Sequence, residues 1–192
     1  MKIKILFSIT LLSGILILPA CGEQKNKVEN TENVAEKSDT TNDDIMPRMH
    51  EGNTESMWDA YVDIKNALAW DSMSLAASEA KHLSKLTMTT QQNKLKNVAN
   101  WDKNQKLIIE HTDAIAVAKD IKEQRKHFEM LSQAFATTIK DNGLIHEAAY
   151  TQFCPMANDG KGANWIAEDS VIRNPYFGAE MRNCGEVQGN KF

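Results

Sequence analysis

Two cysteines and two methionines near the C-terminus are the residues of this chain best suited to chemistry. Cys154-Pro155-Met156 puts a thiol and a thioether two residues apart. In an extended segment residues i and i+2 project to the same side. Met181 and Cys184 are three apart, the spacing of one face of a helical turn. Brought together, these four would offer two thiolates and two thioethers. Soft sulfur donors of that kind select Cu(I) and similar ions. His146 could add an imidazole. In an oxidising compartment the same cysteines are candidates for a disulfide, with the methionines as core filler. Closing that 30-residue separation (184 − 154 = 30) would stabilise the fold by about 3–4 kcal/mol on a chain-entropy model. Two free buried thiols are the third possibility. Spacing alone leaves all three open.

Other candidate groups are weaker. Met46-Pro47-Arg48-Met49-His50 could capture copper on a flexible arm, or serve as a linker or an apolar lid. Glu79-x-x-His82 has the spacing of a carboxylate-bridged di-iron helix. That chemistry needs a second Glu-x-x-His and two more glutamates, and His50, His111, His127 and His146 lack a Glu three residues earlier. A nucleophilic Cys154 served by His146 would have no evident orienting partner. No Cys-x-x-Cys-His, Gly-x-Ser-x-Gly or phosphate-binding glycine loop occurs. Arg173 is expected to pair with a carboxylate such as Glu168 or Glu186, or to stack on a ring. The expectation is a binder, with no catalytic residues.

The elements that must position these groups are mostly helical. Met57, Tyr61, Ile64 and Leu68 recur at helical intervals and predict a helix over 54–70. Asp71 would cap a second helix lined by Met73, Ala76, Ala77, Ala80 and Leu83. Thr89 with Gln92 resembles a capping box for a third stretch running towards Lys119, with a break at Asn100 or Asp102. Asp120 with Glu123 caps a fourth, whose stripe is Ile121, Phe128, Leu131, Phe135 and Ile139 and whose stop is Gly143. The fold class expected is mainly α: an antiparallel four-helix-type bundle. It carries an irregular C-terminal module, 144–192, containing one or two short strands, the clearest at Tyr150–Cys154. That module is poor in aliphatics, so packing, a disulfide or a metal must tie it down.

The N-terminus speaks to location. Met1-Lys2-Ile3-Lys4 is a short basic run, and Ile5 to Leu18 is apolar but too short to span a bilayer of about 20 helical residues. Residues 1–20 read as a signal peptide. Leu18-Pro19-Ala20-Cys21 resembles the lipobox of bacterial lipoproteins, which implies acylation of Cys21 and a firm membrane anchor. Residues 21–53 read as a lipidated cysteine followed by a disordered tether, in which acids outnumber bases. Residues 54–192 are then a single domain, long enough for one core. The whole chain has a formal net charge of −4 and no basic stripe, so nucleic acid is not an expected partner.

The C-terminal residues also resemble a family. Tyr150-Thr-Gln-Phe-Cys154-Pro155-Met156-Ala157, Gly162-Ala163-Asn164-Trp165, Ile172-Arg173-Asn174-Pro175-Tyr176-Phe177-Gly178, Met181 and Cys184-Gly185 are similar to an uncharacterised bacterial lipoprotein domain. Ala118 to Ile121 and Glu123 to Phe128 look like its preceding helices. That domain also occurs fused to periplasmic adaptor subunits of copper- and silver-type efflux pumps. Asn164 departs from it, standing where an aromatic is usual. The resemblance spans 57–187 and implies, through the fusion, a link to soft metal ions.

Two functions follow as expectations. The first is an envelope lipoprotein, lipid-anchored and facing the periplasm from the outer membrane. It would bind or hand over a copper-type ion as an accessory to metal efflux or homeostasis, with a periplasmic adaptor or other envelope protein as partner. The second is a module that docks on an envelope complex, with a structural Cys154–Cys184 disulfide and no metal.

Overall fold

The computed structural model describes residues 46–47, 49–50, 56–144 and 149–190. Cys21, the residues read as a signal peptide, almost all of those read as a tether, Arg48 and His146 lie outside the described residues. Four long helices lead: α1 (Met57–Ala69), α2 (Met73–Thr89), α3 (Trp101–Val117) and α4 (Ile121–Asn142). Three short strands follow: β1 (Tyr150–Cys154), β2 (Ala163–Ala167) and β3 (Glu186–Asn190). The mainly helical class is as expected, and the strands form one antiparallel sheet in the order β2-β1-β3. No helix among the described residues is long and apolar enough to cross a membrane.

Local chemistry explains the helix ends. Ser56 caps α1 by accepting from the Asp59 N–H. Asp120 caps α4 by accepting from the Glu123 N–H at 2.9 Å, and Glu123 reaches back to the Lys119 N–H at 2.8 Å, so two otherwise unpaired donors are satisfied. Gly143 ends α4 with φ +61°, a left-handed conformation that costs glycine nothing. Other expectations fail. Ser72, not Asp71, precedes α2, and Asp71 takes a left-handed turn (φ +57°) that turns its carboxylate to other partners. Thr89 opens no helix: its hydroxyl bonds back to the Lys85 carbonyl and closes α2. The break expected at Asn100 or Asp102 is present, with Asn100 as the residue preceding α3, and it leaves Leu95 and Val98 outside that helix.

Neighbouring helices in the chain are neighbours in space, and β2 packs against α4 and touches α1. The sheet thus lies on the face where the first and last helices would otherwise close on each other. Ala76 and Ala80 keep α2 close to its neighbours, and Tyr61, Ile64, Leu68, Phe128, Leu131, Phe135 and Ile139 are wholly buried between the layers. Tyr61 is the hub. Its ring stacks on Phe135 at 4.5 Å and Phe128 at 5.5 Å. Its hydroxyl bonds the Ser132 hydroxyl and accepts the Ile166 N–H at 3.2 Å, which joins α1, α4 and β2 at one atom. Burial first, against those hydrogen bonds, pushes the Tyr61 phenol well above its ordinary pKa, so it stays neutral.

α1 is covered on almost all sides, so its polar residues need partners indoors. Lys65, fully buried, donates to Glu168 at 2.6 Å. Asp63 accepts from both the backbone N–H and Nδ1 of His50, at 2.8 and 3.1 Å. Met49 packs against the core. The described part of the Met46–His50 arm is therefore seated on the bundle.

Candidate functional site

Antiparallel pairing brings the two cysteines together. In β1 against β3 the last register pair is Phe153 with Glu186, so one step further along β1 places Cys154 beside the chain entering β3. The Cys154 and Cys184 sulfurs are 3.8 Å apart. Cys154 is 0% exposed and faces the core, whereas Cys184 is partly exposed and packs on the core's edge. Both are thiols. The hydrogen bond with Cys154 is the main cause that pushes the Cys184 thiol above its usual pKa, and burial adds to it.

A loop between β2 and β3 delivers Cys184, and Asn174 organises it. Asn174 is wholly buried. Its side-chain amide donates to the Cys184 carbonyl at 2.7 Å, and its side-chain oxygen accepts the Tyr176 N–H at 2.8 Å. Its backbone N–H bonds the Arg182 carbonyl at 2.7 Å. The loop is then tied to the helices. Arg125 of α4 donates to the Pro175 carbonyl at 2.9 Å, to the Leu68 carbonyl at 2.9 Å and to Asp71 at 2.6 Å. Asp71 in turn accepts the Ala179 N–H at 2.8 Å. Burial alone would raise the Asp71 carboxyl, but the Ala179 N–H and the Arg125 and Arg182 guanidiniums hold it below the usual range. Arg182 donates to the Ala69 carbonyl at 3.1 Å and lies over the Trp70 ring.

Glycine serves the site where backbones crowd. Gly185 has φ +146°, and a Cβ there would stand 2.9 Å from the Phe153 carbonyl oxygen and 3.0 Å from the Trp165 ring. Only glycine lets the chain pass from Cys184 into β3 at this distance from β1.

The methionines sit differently from their sequence-based placement. β1 ends at Cys154, and Met156 has helical dihedrals (φ −88°, ψ −14°), so the two are not alternate residues of one strand. Pro155 explains this, because a proline cannot extend the ladder. Met156 is 54% exposed and borders a cleft of about 550 Å³ with Lys122, Lys126, Glu129 and Phe177. Met181 is partly buried, and its carbonyl accepts the Cys184 N–H at 3.0 Å in a turn following a 3-10 turn over Gly178–Glu180. Among the described residues no group of three or more His, Cys, Asp and Glu is placed to hold a metal ion.

Sequence reasoning missed the supports. Arg173 does not take Glu168 or Glu186: it pairs with Asp169 at 2.8 and 3.0 Å, while Glu168 belongs to Lys65. Nothing local in the sequence marks Asn174 as buried. Gln152 is also wholly buried, and it bonds the Asp169 and Val171 carbonyls at 3.0 and 3.1 Å, fixing the loop leaving β2.

Chemically, two thiols at 3.8 Å can do two things. They can share a soft metal ion as thiolates, or they can lose two electrons and two protons to an oxidant and close to a disulfide of about 2.05 Å.

Residues 57–147 match a family model described as protein of unknown function (DUF3347). The matched span covers α1 to α4 and stops before β1, so both cysteines lie beyond it. No curated protein and no solved structure matches the chain.

Proposed function

We propose that this chain is an envelope lipoprotein, anchored through Cys21, that binds or hands over a soft, copper-type metal ion as an accessory to metal efflux or homeostasis. It is a binder rather than an enzyme. The observation that carries this reading is the 3.8 Å separation of the Cys154 and Cys184 sulfurs. With metal–sulfur bonds of about 2.3 Å, two ligands of a tetrahedral ion stand about 3.8 Å apart, so both thiolates could reach one ion without moving. Soft sulfur selects Cu(I). Met156 and Met181, and His146 outside the described residues, are the proposed further donors. The unequal burial of the thiols suits transfer: an acceptor would meet Cys184 first, while Cys154 keeps its hold from inside.

The disulfide reading also has support. Two thiols in contact, without a third His, Cys, Asp or Glu grouped with them among the described residues, are a ready cross-link. Mass spectrometry of the purified full chain, with and without reductant and Cu(I), separates the two. One Cu(I) per reduced chain, lost in Cys154→Ser, supports the metal reading. A chain isolated without free thiols at these positions, and taking up no copper after reduction, supports the bridge. Release of Cys21→Ser from membranes tests the anchor, and continued attachment would refute it.

A further inference from the structure

α3 and α4 form a helical hairpin whose turn centres on Lys119. His111 and His127 are equally far from it (119 − 111 = 8, 127 − 119 = 8), so the hairpin sets them opposite each other. Their rings lie 5.5 Å apart at 34°, and their Nδ1 atoms face each other at 3.3 Å. Two ligands on a tetrahedral ion with metal–nitrogen bonds of 2.0–2.1 Å would be about 3.3–3.4 Å apart. With one ring protonated at Nδ1 the same contact is a long N–H···N hydrogen bond, which an entering ion would replace.

From this geometry we infer a second metal site, formed by His111 and His127, that takes a divalent first-row cation with imidazole affinity. Cu(II) binds it more tightly than Zn(II), following the general affinity order for nitrogen ligands. This site is independent of the thiol pair and stands whether or not that pair binds copper. His111 is 8% exposed and belongs to the buried face of α3, whereas His127 is partly exposed, which leaves room for water to complete the coordination sphere. Burial first, against the nearby Glu110 and with His127 adding to it, holds the His111 imidazole below its ordinary pKa. With two protein ligands the site is exchangeable.

The test uses the full chain carrying Cys21→Ser, Cys154→Ser and Cys184→Ser, which removes thiol binding and thiol reduction of Cu(II). Titration with Cu(II) should give an electron paramagnetic resonance signal with nitrogen coupling from two imidazoles. His127→Asn, at the partly exposed position, should weaken uptake by roughly tenfold or more, since loss of an outer-shell partner alone costs 10–100-fold. His111→Asn should do the same, while His50→Asn leaves this signal in place. As a check without the cysteine changes, Zn(II) should raise the melting temperature of the otherwise wild-type chain more than that of His127→Asn. Two-nitrogen coupling unchanged in both His111→Asn and His127→Asn, or no such coupling at all, overturns the assignment.

Discussion

The Lys65 ammonium lies 2.6 Å from Oε2 of Glu168, 103 positions away in the chain. It ties the middle of α1 to the end of β2, and Asn66 adds a bond to the other carboxylate oxygen at 3.3 Å. Burial alone would raise the Glu168 carboxyl, but the Lys65 charge and these hydrogen bonds more than offset it and hold it below the usual range. The sheet that carries Cys154 is therefore clamped to the helices by a charge pair facing the core.

Glu168→Gln should leave Lys65 buried and uncompensated. The expected loss is on the order of 3 kcal/mol, the low end for a broken buried pair, because the Glu168 side chain is 27% exposed. Lys65→Met with Glu168→Leu should recover much of it. The folded pKa lies below the unfolded one, so the pair's contribution is fully present above about pH 4.5 and is lost as pH falls through the depressed value. Urea unfolding of wild type and both variants between pH 3 and 7 checks this. A Glu168→Gln stability within a few tenths of a kcal/mol of wild type would contradict the clamp.

Cys184 should react slowly for a partly exposed thiol. Its hydrogen bond with Cys154 and its burial raise its pKa, and the thiolate is the reacting form. Alkylation followed by mass spectrometry should show Cys184 modified before the buried Cys154, at a rate that climbs with pH. Cys154→Ala should speed it at pH 7.5 by removing the neighbour. Equal rates in wild type and variant would show that Cys154 does not hold that proton.

Gly185→Ala should pry β3 from β1. The new Cβ meets the Phe153 carbonyl and the Trp165 ring, neither of which can yield cheaply, in a conformation that other residues rarely adopt. A cost of about 1–3 kcal/mol is expected. The more telling readout is the thiol pair: oxidation by diamide should cross-link Cys154 with Cys184 more slowly in the variant. Unchanged cross-linking would separate strand register from thiol proximity.

Tyr61→Phe keeps every ring contact and removes one oxygen. It strands the Ser132 hydroxyl and the Ile166 N–H, both buried, and should cost about 1–3 kcal/mol. Hydrogen exchange should report the loss most strongly at the Ile166 amide in β2. Protection of that amide equal to wild type would mean the phenol is not its support.

Much of the helical part was legible from the residues alone, because its signals are local. The apolar stripes of α1 and α4 recur at the helical period, and Asp120, Glu123 and Gly143 act on neighbours within four positions. β1 was also legible, as the short segment Tyr150–Cys154 ending at Pro155, which cannot extend a ladder. Three kinds of feature needed the tertiary structure. Asp71 was read as a cap, but Arg125 and Ala179, far along the chain, decide where its carboxylate goes. Leu95 and Val98 continue an apolar pattern that the start of α3 at Trp101 leaves outside the helix. The strands β2 and β3 have no period strong enough to mark them, since a five-residue strand exists only through its pairing. The chemistry divides the same way. Residue type and spacing raised the thiols as a metal pair or a bridge. Whether they meet depended on the register of β3 against β1 and on Asn174, Gly185 and Arg125 holding the loop between. Such long-range pairings leave no periodic trace in a sequence, because each is set by two segments that meet only once the chain has folded.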